Sequence, residues 1–216
     1  MVKNRAPKRV RSTIGVRARL QATANDLFSR HGYAVTPVRD VMQAAKVVPR
    51  SFYDTFESKK ELGLLYLRQK EEESAADLRA LMDQYPEPAQ LFRAWVLAKK
   101  RQIKKREFFG CPFMRFALQM PEGDGEFQAE LTSVAKMWED LLTAYLANAI
   151  RLGHLPHETD RVTLARKALA IYEGNIAMWR ISGNKMYLDL MPSMFEAQLL
   201  AYTRRSGAAT SVTKLQ

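Results

Sequence analysis

Cysteine is almost missing from this chain. Its 216 residues hold one, Cys111, which excludes an internal disulfide framework and a zinc site built on four thiolates. The three histidines, His31, His154 and His157, are too few and too scattered for a metal cage, so no metal and no cofactor is implied. No stretch of about 18 uninterrupted apolar residues occurs, which argues against a membrane span and a membrane partner. The first residues, Met1-Val2-Lys3-Asn4-Arg5, are basic but no apolar core follows them, so they do not read as a secretory signal. No Ser-His-Asp arrangement, metal-spaced cluster or glycine-rich phosphate loop can be picked out, and an enzyme is not expected. With 47% hydrophobic and 26% charged residues, the chain has the composition of a folded protein. It reads as soluble and cytoplasmic.

What the chain does have is positive charge, unevenly spread. The formal net charge is +11. Residues 1–70 hold fifteen Lys and Arg against five Asp and Glu, whereas residues 71–216 hold nineteen against eighteen. Residues 1–19 alone carry seven bases and no acid. A concentrated basic segment beside a neutral remainder is the electrostatic footprint of nucleic-acid binding. A solubilising tail or a non-specific nucleic-acid-coating protein would share it.

Proline and glycine are sparse, nine and ten, and fall mostly between segments of helical period. No alternating strand pattern appears, so the fold class is all-α. Residues 13–31 form an amphipathic pattern, with Leu20, Ala24, Leu27, Phe28 and His31 on one face and Gly32 at the stop. Thr36-Pro37 opens a short helix, Thr36 capping it and Pro37 at its first position. Pro49 opens a second short helix through Phe56, and Ser58-Lys59-Lys60-Glu61 is a capping box that starts a long one running to Gln84. Further helices are expected near 88–106, 112–120, 126–151, 160–182 and 192–204.

Two short helices joined by a tight turn, buttressed by longer helices and preceded by basic residues, describe a helix-turn-helix. The run Thr36-Pro37-Val38-Arg39-Asp40-Val41, then Ala45-Lys46-Val47, Ser51-Phe52-Tyr53-Asp54-Thr55-Phe56 and Ser58-Lys59-Lys60-Glu61-Leu62 resembles the DNA-binding signature of the tetracycline-repressor-like (TetR) family. The match spans residues 13–62. The resemblance implies an N-terminal three-helix DNA-binding domain over 1–62 and a C-terminal helical ligand-binding and dimerisation domain over 63–204, followed by a flexible tail over 205–216. It also implies the partners: a double-stranded DNA operator, a second copy of the chain and a small-molecule effector. The function expected is a ligand-responsive regulator, a repressor released from a palindromic operator by its inducer.

Two departures carry physical consequences. Lys46 stands where the family prefers glycine, and a left-handed backbone there is strained. Val48 replaces a Ser or Thr cap, losing a side-chain bond worth ~1 kcal/mol. Arg39 matches a base-reading position of the family, and Pro49, Arg50 and Ser51 lie at the start of the recognition helix, the end that faces base edges. Tyr53, Lys59 and Thr36 match phosphate-contacting positions. Asp54, like Glu57, adds negative charge on this face, and Arg9, Arg11 and Arg17 are expected to track the adjacent backbone or minor groove. Phe28, Val41, Phe52 and Phe56 read as the core that holds the short helices together.

In the second domain Trp95, Phe109, Phe113, Arg115, Phe116, Met120, Trp138, Tyr172 and Trp179 either line a pocket for an apolar or aromatic ligand or form a plain core. Arg115, a fixed charge in an apolar helix, needs a partner such as an acidic ligand if it points inward. Cys111 precedes Pro112 at a helix start, where the helix dipole favours a thiolate, and a redox or electrophile sensor is the alternative reading. Ala168, Leu169 and Ile176, with Phe195 and Leu199 on the next helix, are the expected dimer interface, unless both stripes serve only the core within the chain.

Overall fold

A computed structural model describes residues 9–120 and 123–212, and the side chains of 15–120 and 123–202. The described residues form nine α-helices and no strand: α1 (Arg9–Arg30), α2 (Val38–Ala44), α3 (Pro49–Tyr53), α4 (Lys59–Gln84), α5 (Pro88–Lys104), α6 (Pro112–Ala117), α7 (Gly125–Arg151), α8 (Arg161–Ser182) and α9 (Met186–Val212). They fall into two compact units, Met1–Lys70 with Arg115–Leu131, and Glu71–Met114 with Thr132–Gln216. The first turns of α4 and the distant segment 115–131 both belong to the N-terminal unit.

In the first unit α1 packs against both α2 and α3. Leu20, Ala24 and Phe28 recur at helical spacing and, like Val41, Phe52 and Phe56, are essentially buried. A second layer is aromatic. The Tyr33 ring lies 5.3 Å from Phe28, 4.6 Å from Phe116 and 5.3 Å from Phe127, while Phe28 is 5.7 Å from Tyr66. Gly63 makes room for this cluster, since a Cβ there would stand 2.7 Å from a Tyr33 ring carbon and 3.1 Å from Phe127. Dry surroundings push the Tyr33 hydroxyl up to about 12.

Segment 115–131 also closes the end of α1. The Arg115 guanidinium donates to the carbonyls of Ser29 and Arg30, two of the last-turn oxygens a helix leaves unpaired, and its charge suits that end of the dipole. Gln119 accepts from the Ala34 amide at 3.3 Å and fills the space beside Gly32, whose φ of +106° turns the chain out of α1. Lys60 pairs with Asp124 at 3.0 Å and Glu126 at 2.8 Å, and Arg68 with Glu130 at 3.1 Å.

In the second unit α9 packs on α8 and on α5. Leu91, Phe92, Trp95, Leu142, Leu146, Leu164, Ala168, Ile176, Met191 and Phe195 are among its buried apolar residues. Arg166 grips Glu139 with two hydrogen bonds of 2.9 and 2.8 Å, and Arg93 donates to Glu196 at 2.6 Å. The last helix departs from expectation. Pro192 does not open it but lies inside it. The Asn184 side chain accepts from the Met186 amide at 2.9 Å, and burial of Leu188 and Met191 holds the extra turn in place. At its other end α9 runs to Val212, so the backbone of residues 205–212, expected as tail, is helical.

Candidate DNA interface

The two short helices of the first unit are joined through Ala45–Val48. Ala45 and Val47 are buried and Val47 donates its amide to Met42 O at 2.9 Å, so the turn is anchored at two points. Between them Lys46 adopts φ +53°, the left-handed geometry expected from its place in the motif, at about 1 kcal/mol for a residue with a Cβ. Val48 is the N-cap of α3 with extended φ −75° and ψ 151°; its isopropyl group has no acceptor to offer. Pro49 at the first helical position brings no N–H of its own and so reduces the donors left unsatisfied.

On α3 burial alternates within a single turn. Phe52 is 0% exposed and Tyr53, its neighbour, is 64% exposed, their rings edge-on at 5.1 Å. Arg50 and Asp54 are exposed and Ser51 is half-buried. Pro49 stands four residues before Tyr53, and Arg50 three before Tyr53 and four before Asp54, so one side of the turn carries all four outward. On α2 the Arg39 side chain is 84% exposed, with a 3.3 Å tether to Asp40, a surface pair of little energetic weight.

Other expected contact residues are engaged within the protein. Thr36 is buried, and its hydroxyl donates to Gly32 O at 2.7 Å. The cap expected of it is taken instead by Pro37, with α2 beginning at Val38. Lys59 reaches back, its ammonium 3.2 Å from Ala34 O and 4.4 Å above the Tyr33 ring, and partial burial lowers its pKa. Arg17 donates to Thr55 O at 3.1 Å and to Glu61 Oε1 at 3.2 Å, with its guanidinium 4.5 Å over the Phe56 ring. Arg17 thus clamps the exit of α3 to the start of α4. The side chains of Arg9 and Arg11 lie outside the described residues.

The capping box is shifted by one residue. Ser58 Oγ accepts from the Glu61 amide at 3.2 Å as expected, whereas the Glu61 carboxylate accepts from the Glu57 amide at 3.0 Å rather than from Ser58. Sequence reading also missed Arg115 and Gln119 as supports of this unit. Their partners are some 85 residues away, and no local pattern announces them.

The expected ligand residues divide between the units. Phe116 lies 4.8 Å from Phe127 in the aromatic layer of the first unit, Arg115 caps α1, and Met120 falls in the same segment. They therefore belong to the first unit, where the Arg115 guanidinium donates to the Ser29 and Arg30 carbonyls. In the second unit Trp95 stacks on Tyr172 at 4.4 Å and lies 5.8 Å from Trp138 and 6.4 Å from Phe195. Trp179 stacks on Phe108 at 6.2 Å, Phe113 is buried and Phe109 half-buried. Among the described residues no group of His, Cys, Asp and Glu could hold a metal ion, and no helix is long and apolar enough to cross a membrane.

Cys111 and the expected interface residues are placed as follows. Cys111 is buried, and desolvation, reinforced by the adjacent Glu173 carboxylate, raises its thiol well above the ordinary value. The amides of Met114 and Phe113 act in the opposite sense but more weakly. Ala168, Ile176, Phe195 and Leu199 are buried inside the chain, and Leu169 is half-buried. The faces of α8 and α9 turned to solvent are different ones, carrying Met178, Ile181, Leu190 and Met194.

Comparison with known proteins follows this geometry. Residues 20–64 match the family model described as bacterial regulatory proteins, tetR family, and residues 89–195 the one described as tetracyclin repressor-like, C-terminal domain. The HTH-type transcriptional repressor DhaR of Mycobacterium sp. (strain GP1) is 25% identical over 190 residues, covering 85% of this chain and 92% of that protein. A TetR-family transcriptional regulator from Cytophaga hutchinsonii superposes with a TM-score of 0.76 at 16% identity, over 93% of this chain and 98% of its own. SCO4454, a TetR-family transcriptional regulator from Streptomyces coelicolor, gives 0.75 at 21% identity, over 87% and 95%.

Proposed function

The chain belongs to the tetR family of bacterial regulatory proteins, and from that premise we propose that it is a repressor that binds a palindromic operator as a homodimer and is released by a small-molecule inducer in the cytoplasm. One observation carries the DNA-reading assignment: Phe52 is wholly buried while Arg50 and Tyr53 beside it stand in solvent, so α3 is held by one face and offers the other. The first unit is the DNA-binding part, and the second serves sensing and dimerisation.

Arg39 and Arg50 read base edges, for which arginine is suited by its paired donors to guanine. Tyr53 and Ser51 serve the phosphates, Pro49 sets the entry of α3, and Asp54 discourages wrong registers. Exposed Val48 adds an apolar contact of the kind that thymine methyls accept. Thr36, Lys59 and Arg17 act chiefly as positioning residues, with Lys59 keeping donors that a phosphate can share.

One motif covers too few base pairs for useful specificity, so two copies spaced one helical turn apart, about 34–36 Å, are needed. The solvent faces of α8 and α9 supply the contact. Gly174 lies on that face of α8, and a Cβ there meets nothing within 4 Å among the described residues. A mid-helix glycine costs about 1 kcal/mol relative to alanine, and close approach of a second copy accounts for it. Induction requires a ligand that binds the DNA-incompetent state more tightly; equal affinity for both states would move nothing.

Selection of bound duplexes from a random pool tests this reading. Enrichment of an inverted repeat, bound by two chains in sedimentation, is the expected result; recovery of unenriched sequence would overturn it. Gly174→Leu should leave the helical content intact and yield monomers that lose the repeat.

A further inference from the structure

Arg101, Lys104, Lys105 and Arg106 close α5, and the function proposed above leaves them without a task. Between Glu87 and Glu122 the chain carries eight bases and a single acid, Glu107. Several exposed cations of the second unit are matched: Arg93 by Glu196, Lys136 by Asp140 and Arg166 by Glu139. Within the basic run itself Lys100 pairs with Asp189, and Lys99 donates to Gln102 at 3.1 Å. The four cations at the end of α5 are exposed and make no side-chain hydrogen bond or ion pair among the described residues. Arg101 stands three and four residues before Lys104 and Lys105, so three like charges share one side of the helix and repel. The α5 dipole favours cations in its last turn, but Arg106 lies beyond that turn.

Arg106 adds backbone strain. Its amide donates to Ile103 O at 3.0 Å and the Glu107 amide to Gln102 O at 2.9 Å, the paired bonds of a Schellman stop. Its φ is +59°, the geometry that glycine adopts without a Cβ penalty. Among the described residues only Lys46 shares a positive φ on a residue with a side chain, and Lys46 sits in the helix-turn-helix. A strained arginine in solvent, beside unpaired like charges, costs the fold free energy and is explained by a partner.

Resting on the reading of the chain as an operator-binding dimer, we propose that this end of α5 is a second DNA contact, holding backbone phosphates outside the inverted repeat. Four exposed cations with no anion of their own suit a polyanion, and phosphate is the acceptor that arginine and lysine both serve. The chain leads from this patch to the reading unit by a short path. α6 begins in the second unit and ends in the first, and Arg106 stands nine residues before Arg115, which donates to the end of α1. That length of chain spans at most about 30 Å, roughly nine base pairs at ~3.4 Å each. The contact is accordingly sought in the first turn of DNA flanking each half-site. It carries no sequence information; it adds affinity and salt dependence.

Two duplexes carrying the same selected repeat make the test, titrated against the full-length protein by fluorescence anisotropy. One ends at the repeat and the other extends a helical turn, about 10 base pairs, beyond each side. The unsubstituted protein should prefer the long duplex by roughly tenfold or more. Arg101→Gln, Lys104→Gln, Lys105→Gln and Arg106→Gln combined should keep the short-duplex affinity and lose that preference. On the long duplex the combined variant's slope of log K against log salt should flatten by about 1.8 or more, one phosphate per chain. Arg106→Gly alone should raise the melting temperature by relieving the left-handed backbone, and still weaken long-duplex binding; an arginine kept for the fold would give a lower one. No preference for the long duplex, a preference surviving in the combined variant, equal losses on both duplexes, or a lowered melting temperature in Arg106→Gly would each overturn the contact. Binding to phosphatidylglycerol vesicles that the combined variant loses, with both duplex affinities unmoved, would assign the surface to a membrane instead. Failure of the unsubstituted protein on the short duplex would overturn the operator reading itself, and this contact with it.

Discussion

Around α3, Arg50 and Tyr53 face solvent while Phe52 between them is wholly enclosed. Around α8 the arrangement is inverted: Tyr172 and Glu173 are turned inward with Trp95, and Gly174 and Met178 lie outside. In the first unit, then, the residues proposed to meet DNA and the residues that hold the fold are different ones on opposite faces. In the second the aromatic residues expected to meet a ligand are themselves core. Recognition should be separable from stability at α3 and entangled with it at α8.

The sharpest test of that separation compares adjacent residues. Phe52→Ala should cost about 3–5 kcal/mol, the range for emptying an aromatic core position, and abolish DNA binding by unfolding the first unit in thermal melts. Tyr53→Ala should change stability by no more than about 0.5 kcal/mol yet weaken binding to every duplex; a large stability loss there would break the contrast. Gly63→Ala forces a methyl against Tyr33 and Phe127 and should cost about 1–3 kcal/mol as overpacking, visible as a lowered denaturant midpoint. Arg39→Ala should cost about 1–3 kcal/mol on the selected operator and little on scrambled DNA. Equal losses on both duplexes would remove Arg39 from base reading. The smallest effect is a gain: Val48→Ser supplies the missing cap and should add about 1 kcal/mol of stability.

How far the sequence could be read depended on the range of the interactions. The helix-turn-helix was legible because its signals are local: a proline opening α3, apolar residues at helical spacing, a serine three residues before Glu61. Even there the boundaries moved where tertiary bonds competed. Thr36 spends its hydroxyl on Gly32 O, and Glu61 reaches Glu57 while Arg17 holds its other oxygen. Pro192 misled for the same reason: local chemistry makes proline a helix opener, but buried Leu188 and Met191 carry α9 back to Met186. The interior of the second unit was hardest to read. Glu173 in sequence is one more acidic residue on a helix, and only burial singles it out. The apolar stripes of α8 and α9 likewise could not reveal which side faces solvent.

The closure of α1 by Arg115 has a practical consequence. Residues 115–131 are far along the chain, yet they supply the guanidinium on the Ser29 and Arg30 carbonyls and the Phe116 and Phe127 rings against Tyr33. A fragment ending at residue 70 would carry the whole reading head and still be incomplete. Its first helix would fray from the carboxyl end, with amide exchange fastest there, and the bared face of Tyr33 and Tyr66 would make it sticky. Adding back a peptide of residues 115–131 should slow that exchange.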